Sequence, residues 1–520
     1  VIRRRAMERF MKRHQDRIIG TITGFDRVLF GGTLRSISYV EGLEIFLTIQ
    51  RVLFKDFGQF VEKLSSRIKA HSESYAMNHK RPYRYIESSK LSKEEIAREI
   101  MDRDQITRGL VCVLTCIEPC QTFSIRRDRP TKKLALERKQ RKCLHIYFYY
   151  VDRDFGLMHV RLQTWLPFTI QVCINGREWL ARQMDRAGIS YTKRDNTFTY
   201  IEDVAAAQRL MDQLTERKWE GFLNSFARRL NPIIKPEEGF NLRGYYWSIR
   251  QGEYATDVMF KDEQSLAQLY PALTRHAIER FSSRDVLRFL GRRDCDGFKR
   301  EVTTKLQKRV EGVRIKHWVD ENSIKMYDKQ GSVLRIETTI NNARRFKVRR
   351  PTQRNGKTTM ALFPLRKGIA DLKRRVEVSR SANGRYLEAL AVVGETTPSH
   401  RLLDPVSQRL VKDGRSYRAL HPISQADSRV FELLLKGENL IQGIRNRDLR
   451  TELFPAAELD PATRRKASAR ISRLIRLLRA HGLIYKVSKT NYHRITKKGH
   501  EVMATATTFR DSDVALLAAE

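Results

Sequence analysis

Between Pro461 and His500 the chain carries twelve Lys or Arg and not one Asp or Glu. Ala467, Ile471, Leu474, Ile475 and Leu478 recur there at helical spacing, so one stripe of a helix is predicted to face a core. At 100° per residue Arg465, Lys466, Arg470, Arg473 and Arg476 fall on the opposite arc. Leu483–Val487 and Tyr492–Thr496 then read as two short strands joined by Ser488-Lys489-Thr490-Asn491, and Lys486, Lys489 and Arg494 make this hairpin basic. A helical face with no acids to lace its cations is predicted to face a polyanion. Two helices are predicted upstream, Asp427–Lys436 after Ser424 and Arg447–Leu453 with Asn446 as its cap.

The segment His481-Gly482-Leu483-Ile484-Tyr485 resembles the entry to the wing in bacterial MarR- and ArsR-like regulators. Thr496-Lys497-Lys498-Gly499 resembles the residues that follow that wing. The resemblance covers roughly residues 421–505 and implies a C-terminal winged helix-turn-helix. In that fold a recognition helix enters the major groove of DNA and the wing touches flanking backbone. The residues implied as nucleic-acid ligands are Arg465, Lys466, Arg470, Arg473, Arg476, Lys486, Lys489 and Arg494.

The whole chain supports a polyanionic partner. Its 520 residues carry a net charge of +40, and self-repulsion of that size opposes compaction unless a polyanion neutralises it. DNA is the expected partner and RNA the second candidate. No apolar run approaches the length of a membrane span, so no membrane is expected. Val1–Arg17 is basic without the apolar centre of a secretory signal. Six Cys at irregular spacing read as buried thiols of a reducing cytoplasm. The expected location is a bacterial cytoplasm, in association with the nucleoid.

Alternating strand and helix signals predict an α/β or α+β multidomain core. Residues 1–230 read as an α/β domain, 231–393 as a β-rich basic domain ending in a helix, 394–422 as a linker and 423–520 as the winged helix. Arg17–Leu34 reads as a strand pair, and Gly109–Ile117, Leu144–Val151 and Leu157–Trp165 as strands. Two further basic tracts stand out. Arg126–Lys142 holds nine basic residues, including Arg126, Arg127, Lys132 and Lys133, against two acidic ones. Asn342–Arg375 holds twelve, including Arg344, Arg345, Lys347, Arg349 and Arg350, against Asp371 alone. Aromatic and basic residues interleave at Lys80–Tyr85 and run together at His145–Tyr150, a pattern able to stack bases.

Several common chemistries are excluded. Gly356-Lys357-Thr358 lacks the preceding glycine of a P-loop, with Pro351 at that position. No two His are separated by one residue, and no spacing supports a Cys/His zinc site. What remains is carboxylates on strands. Asp26 lies in the first strand region and Glu118 directly follows Val111–Ile117. Transposases and resolvases with an RNase H-like fold use such a pair, with a third acid, to hold two Mg²⁺ ions. Asp152 and Asp154, after Leu144–Val151, or Glu178 at a helix start, are candidates for the third. Separately, Lys325-Met326-Tyr327-Asp328-Lys329 followed by Leu334-Arg335-Ile336-Glu337, within 313–347, resembles phage and plasmid replication initiators. That resemblance implies Glu337 as a metal ligand and Tyr327 as a nucleophile.

The expected catalytic set is therefore Asp26, Glu118, Asp154, Glu337 and Tyr327, with Asp26 and Glu118 as metal ligands and Mg²⁺ or Mn²⁺ as cofactor. The sequence reads as a nucleic-acid-binding protein of mobile-element or phage type: a transposase, resolvase or replication initiator. If enzymatic, it is a metal-dependent DNA nuclease or strand-transferase. The alternative is a non-enzymatic RNA- or DNA-binding protein, either a ribonucleoprotein component or a transcriptional regulator. Three converging acids would favour the enzyme, and a continuous basic groove without them the binder.

Overall fold

Ile18–Thr33, where the sequence predicts a strand pair, is one unbroken strand of 16 residues, β1. Gly24, Gly31 and Gly32 lie inside it rather than at turns, and the strand Tyr246–Phe260 runs antiparallel along its whole length. The structure is a computed structural model that describes residues 7–128, 130, 133–240, 242, 244–292, 302–309, 312–354, 357–391, 393, 399–436, 439, 443–458, 460–488 and 490–512. Lys132, Lys489 and Gly356 lie outside the described residues.

The strands that follow β1 are β2 (Tyr83–Tyr85), β3 (Gly109–Arg127), β4 (Leu134–Asp152), β5 (Gly156–Gln163), β6 (Ile170–Asn175), β7 (Tyr191–Arg194), β8 (Thr197–Ile201), β9 (Tyr246–Phe260), β10 (Thr303–Arg309), β11 (Gly312–Val319), β12 (Asn322–Lys329), β13 (Val333–Ile340), β14 (Lys347–Arg354) and β15 (Lys357–Pro364). Eleven form one sheet in the order β10-β11-β12-β13-β9-β1-β6-β5-β4-β3-β2. Only β2 pairs in parallel, with β3. With fifteen α-helices among the described residues, the fold is a mixed α/β arrangement around a large mixed sheet. Because β1 pairs with β9, residues 1–230 and 231–393 share that sheet, and the boundary expected at residue 230 falls within one continuous structure.

Helices Glu263–Glu279, Ser283–Phe289 and Leu372–Leu390 pack on one face of β9–β13 around Val258, Ile315, Met326, Leu334 and Ile336. Polar bonds fix the longest of them in register. Asn383 donates to the Tyr254 carbonyl at 3.0 Å, and the His317 Nε2 and Tyr386 hydroxyl lie 3.0 Å apart. Toward β3 both faces are covered. Helix Phe57–Asn78 contributes Leu64 and Ile68 to the core of Val113 and Phe148, while helix Lys93–Arg103 buries Ala97 and Ile100 against Cys112, Tyr147 and Tyr149. Ser92 caps that second helix by accepting from the Glu95 amide. The aromatic run Tyr147–Tyr150 is thus buried core, which corrects the expectation of a base-stacking surface there.

The chain from His400 to Tyr417, expected as linker, contains a short helix, His400–Leu403, and a strand pair, Leu410–Lys412 with Arg415–Tyr417. Beyond it, helices Gln425–Leu435, Asn446–Leu453, Pro461–Ala480 and Lys497–Arg510 and the strand pair Ile484–Lys486 with His493–Ile495 close around Phe431, Leu434, Leu449, Ile471, Leu478 and Leu483. Asn446 does not cap its helix. Arg445 stands at the N-cap, where the Asp448 carboxylate accepts from its backbone amide at 3.0 Å, and the Asn446 amide instead donates to the Ser468 carbonyl at 2.9 Å, joining the two helices. The β14–β15 hairpin fastens this unit to the rest of the chain. Arg349 on β14 donates to Asp448 and to the Tyr492 hydroxyl, each at 3.2 Å.

Candidate metal centre and nucleic-acid face

Three neighbouring strands bring Asp26 (β1), Glu253 (β9) and Glu337 (β13) together, with one carboxylate oxygen of each within 4.8 Å of the others. The backbone explains how. Between Phe25 and Arg27 the β1–β9 register slips, leaving Asp26 as the extra residue of a bulge, a device that re-aims a side chain. Glu337 lies opposite Ala255, and Thr339 opposite Glu253. Glu253 and Glu337 therefore share a sheet face, offset by one diagonal step.

A buried ionic platform lies at the inner end of the cluster. Asp257 and Arg335 are cross-strand partners with 0% and 1% exposure. The Arg335 Nε and Nη2 donate to the two Asp257 oxygens at 2.6 and 2.9 Å. Arg177 is 2.9 Å from the same carboxylate. It reaches there because Gly176, which starts helix Gly176–Ala187, sits against the Phe25 carbonyl, where a Cβ would lie 2.0 Å from the oxygen. Burial pushes the Asp257 carboxyl up, but Arg177 and Arg335 outweigh it and hold the group below its ordinary value. Arg335 also reaches Asp26 at 3.3 Å. The Asn196 amide, between β7 and β8, donates to both Asp26 oxygens at 3.0 and 2.9 Å.

Charge is crowded in this cluster. Four carboxylates (Asp26, Glu253, Asp257, Glu337) lie among buried Arg177, Arg335, Lys325 and Lys329, with Arg27 and Lys316 close enough to act on Glu253. Lys325 Nζ is 2.6 Å from Glu337. Burial opposes the lysine's charge, but Glu337 and Glu253 raise its pKa above the ordinary value. The Glu253 carboxyl is raised by burial and then by the charge of Glu337, against the opposing pull of Lys325 and Arg27. An all-oxygen donor set whose carboxylates repel one another fits a hard divalent cation, which would relieve that repulsion.

The same face turns strongly basic on the next strands. Lys325 and Tyr327 on β12 pair with Lys316 and Arg314 on β11, and these with Lys305 and Gln307 on β10. Burial, Lys325 and Arg314 push the Lys316 ammonium down to about 8. Its Nζ lies 4.2 Å from the ring centre of Trp318, with Lys305 over the same ring at 5.7 Å. Crowded cations beside a half-buried indole form a surface suited to phosphate and an unpaired base. Tyr327 is largely buried, its hydroxyl 3.4 Å from Arg314, on the face that carries the acids.

Two expected members lie elsewhere. Glu118 is on β3, four strand steps from β1, or about 19 Å at about 4.8 Å per step, too far to share a two-metal site with Asp26. It accepts from Tyr147 at 2.7 Å and pairs with Lys93 at 3.0 Å and Arg161 at 2.9 Å. Its pKa is held low by those partners although burial alone would raise it. Asp154 sits in the β4–β5 turn, paired with Arg186 and Arg217 at 2.9 Å each. Both acids act as ionic staples. Of the expected set, Asp26 and Glu337 converge, Tyr327 shares their face, and Glu253 was missed. A partial signal was present: Glu253 and Asp257 fall on one face of a strand that ends in the apolar Val258-Met259-Phe260, and buried strand acids need partners.

The basic tracts divide similarly. Arg465, Lys466, Arg470, Arg473 and Arg476 are exposed along Pro461–Ala480, Lys486 is exposed on the following hairpin, and Arg494 is half-buried there. Arg126, Arg127 and Lys133 are exposed on the β3–β4 hairpin, and Arg344, Arg345 and Lys347 before and on β14. Arg345 also lies 3.5 Å from Asp320. Arg349 and Arg350 correct the expectation of nucleic-acid contact. Arg349 is engaged with Asp448 and Tyr492, and Arg350 is paired with buried Asp371. No described helix is long and apolar enough to cross a membrane. No family model, curated protein or solved structure matches the chain.

Proposed function

We propose that this chain is a metal-dependent enzyme of nucleic-acid phosphodiester chemistry, a nuclease or strand-transferase of mobile-element type. The observation that carries the reading is the convergence of Asp26, Glu253 and Glu337 on three adjacent strands, on the face that carries Lys325, Lys316 and Trp318. These carboxylates would hold Mg²⁺ or Mn²⁺, which supplies a Lewis acid and an activated water for attack on phosphorus. Lys316 binds the phosphate oxygens, Lys325 holds Glu337 in place, Trp318 stacks a neighbouring base, and the Asp257–Arg335–Arg177 platform keeps Asp26 oriented. Tyr327, wedged between Arg314 and Lys325, is the candidate for a covalent route.

The C-terminal unit is read as a winged helix-turn-helix, with Pro461–Ala480 as recognition helix and Ile484–Ile495 as wing. Its order of helices and hairpin and the exposed cations on one helix face support DNA as the main partner. A second reading, a non-catalytic binder, is favoured by one observation: Lys325, Arg335 and Asn196 already engage Glu337 and Asp26. A cleavage assay on supercoiled and single-stranded DNA with Mn²⁺ separates the two. Asp26→Asn, Glu253→Gln and Glu337→Gln each abolish cleavage and leave DNA retention intact if the reading holds. Glu118→Gln leaves the chemistry in place. Wild-type protein that binds DNA but cleaves nothing with either metal is the binder.

A further inference from the structure

Cys120, Cys143 and His145 form a second cluster, with one ligand atom of each within 4.8 Å of the others. Cys120 lies on β3 and the other two on β4, on one sheet face, because the register pairs Cys120 with Arg141, Glu118 with Cys143 and Cys116 with His145. The sulfurs are 2.8 Å apart, and the Cys143 sulfur is 4.0 Å from His145 Nδ1. In a tetrahedral zinc site, bond lengths of about 2.3 Å to sulfur and 2.0–2.1 Å to nitrogen put sulfurs about 3.8 Å apart and sulfur and nitrogen about 3.6 Å apart. A small opening between the sulfurs meets the first value, and the second is nearly met already. Cys120 and His145 are buried and Cys143 is half-buried, which leaves one side open for a fourth ligand.

The position gives such a site a task. β2 pairs with β3 only at Val113–Thr115, and β5 pairs with β4 only from His145 onward. Beyond those points, among the described residues, β3 and β4 pair only with each other, as a two-stranded arm that buries Phe123 and Leu136 in the core and ends in Arg126, Arg127 and Lys133. A two-stranded ribbon is marginally stable by itself, and the cluster lies at its root.

We propose that Cys120, Cys143 and His145 bind a borderline-soft divalent cation of the Zn²⁺ class, with water as fourth ligand, and that this clamp holds the root of the basic arm. Two thiolates and an imidazole are the donor set such a metal selects, and it differs from the all-oxygen set of the carboxylate cluster. Binding forms two metal–sulfur bonds and releases the two thiol protons to solvent.

The test uses the full chain, purified under reductant and stripped of metal, then titrated with Co²⁺ as an optical probe and with Zn²⁺ in competition. The expected result is one Co²⁺ with a sulfur-to-metal charge-transfer band, displaced by one Zn²⁺. The carboxylate cluster cannot produce that band. Loss of an outer-shell partner costs about 10–100-fold in metal affinity, so loss of a ligand in Cys120→Ser or Cys143→Ser should exceed about 100-fold. His145→Gln weakens binding and blue-shifts the spectrum, while Cys173→Ser changes neither. Zn²⁺ protects the arm from limited proteolysis in the parent only. The proposal is overturned by the absence of the charge-transfer band, by a band that persists in both Ser variants, or by a chain that yields only a Cys120–Cys143 disulfide on air oxidation and takes up no metal when reduced.

Discussion

Buried charge decides the behaviour of single residues here. Arg335 ties Asp257, Asp26 and the Asn196 carbonyl together from a fully buried position. Replacing it with Met leaves Asp257 with Arg177 and Asp26 with the Asn196 amide, and removal of one partner from such a buried network costs about 3–5 kcal/mol, readable by urea denaturation. Arg335→Lys does not restore the loss, because an ammonium cannot reproduce the bidentate fork. Glu388 gives a pH signature. Burial lifts its carboxyl from 4.5 to about 7, Glu501 adds to the rise, and Arg9 and Lys497 oppose it. The folded chain therefore keeps a proton that the unfolded chain loses. Its contribution is complete below pH 4.5 and falls as pH rises to 7. Glu388→Gln matches wild type near pH 4.5 and exceeds its stability at pH 7.5 by about 1–3 kcal/mol, at 1.36 kcal/mol per pKa unit.

At the scale of elements, what was legible in the sequence was local. Ser92 capping, the buried strand from Gly109 and the basic arc of Pro461–Ala480 follow from neighbours within one or two turns. What failed was long-range. Arg17–Leu34 reads as a strand pair, yet pairing with β9 more than two hundred positions away keeps β1 continuous through Gly24, Gly31 and Gly32. The strand from Gly109 is expected to end at Ile117, where the continuous apolar run stops, whereas β3 and β4 continue past Glu118 as an arm whose partners are each other. The half of the acid cluster that was found came from strand acids near a resemblance, and Glu253 was hidden because only sheet order makes it a neighbour of Asp26. For the C-terminal unit, duplex binding is expected to depend steeply on salt. Combined Ala substitution of Arg470, Arg473 and Arg476 lowers the slope of log affinity against log salt by about 0.9 for each phosphate no longer neutralised, measured by fluorescence anisotropy. An unchanged slope means another face carries the DNA.

At the scale of the molecule, a chain with a net charge of +40 holds this cluster of carboxylates, which joins its halves through β1, β9 and β13. The most direct test of its proposed role is a Mn²⁺ binding isotherm by electron paramagnetic resonance, paired with thermal unfolding with and without metal. Wild type is expected to bind Mn²⁺ and to gain stability with its concentration. Glu253→Gln should lose the binding while becoming more stable than wild type in metal-free buffer, since the substitution removes a buried charge repelled by Glu337. Identical isotherms for wild type, Glu253→Gln and Glu337→Gln would contradict a metal-holding role and leave the cluster as a buried salt-bridge network.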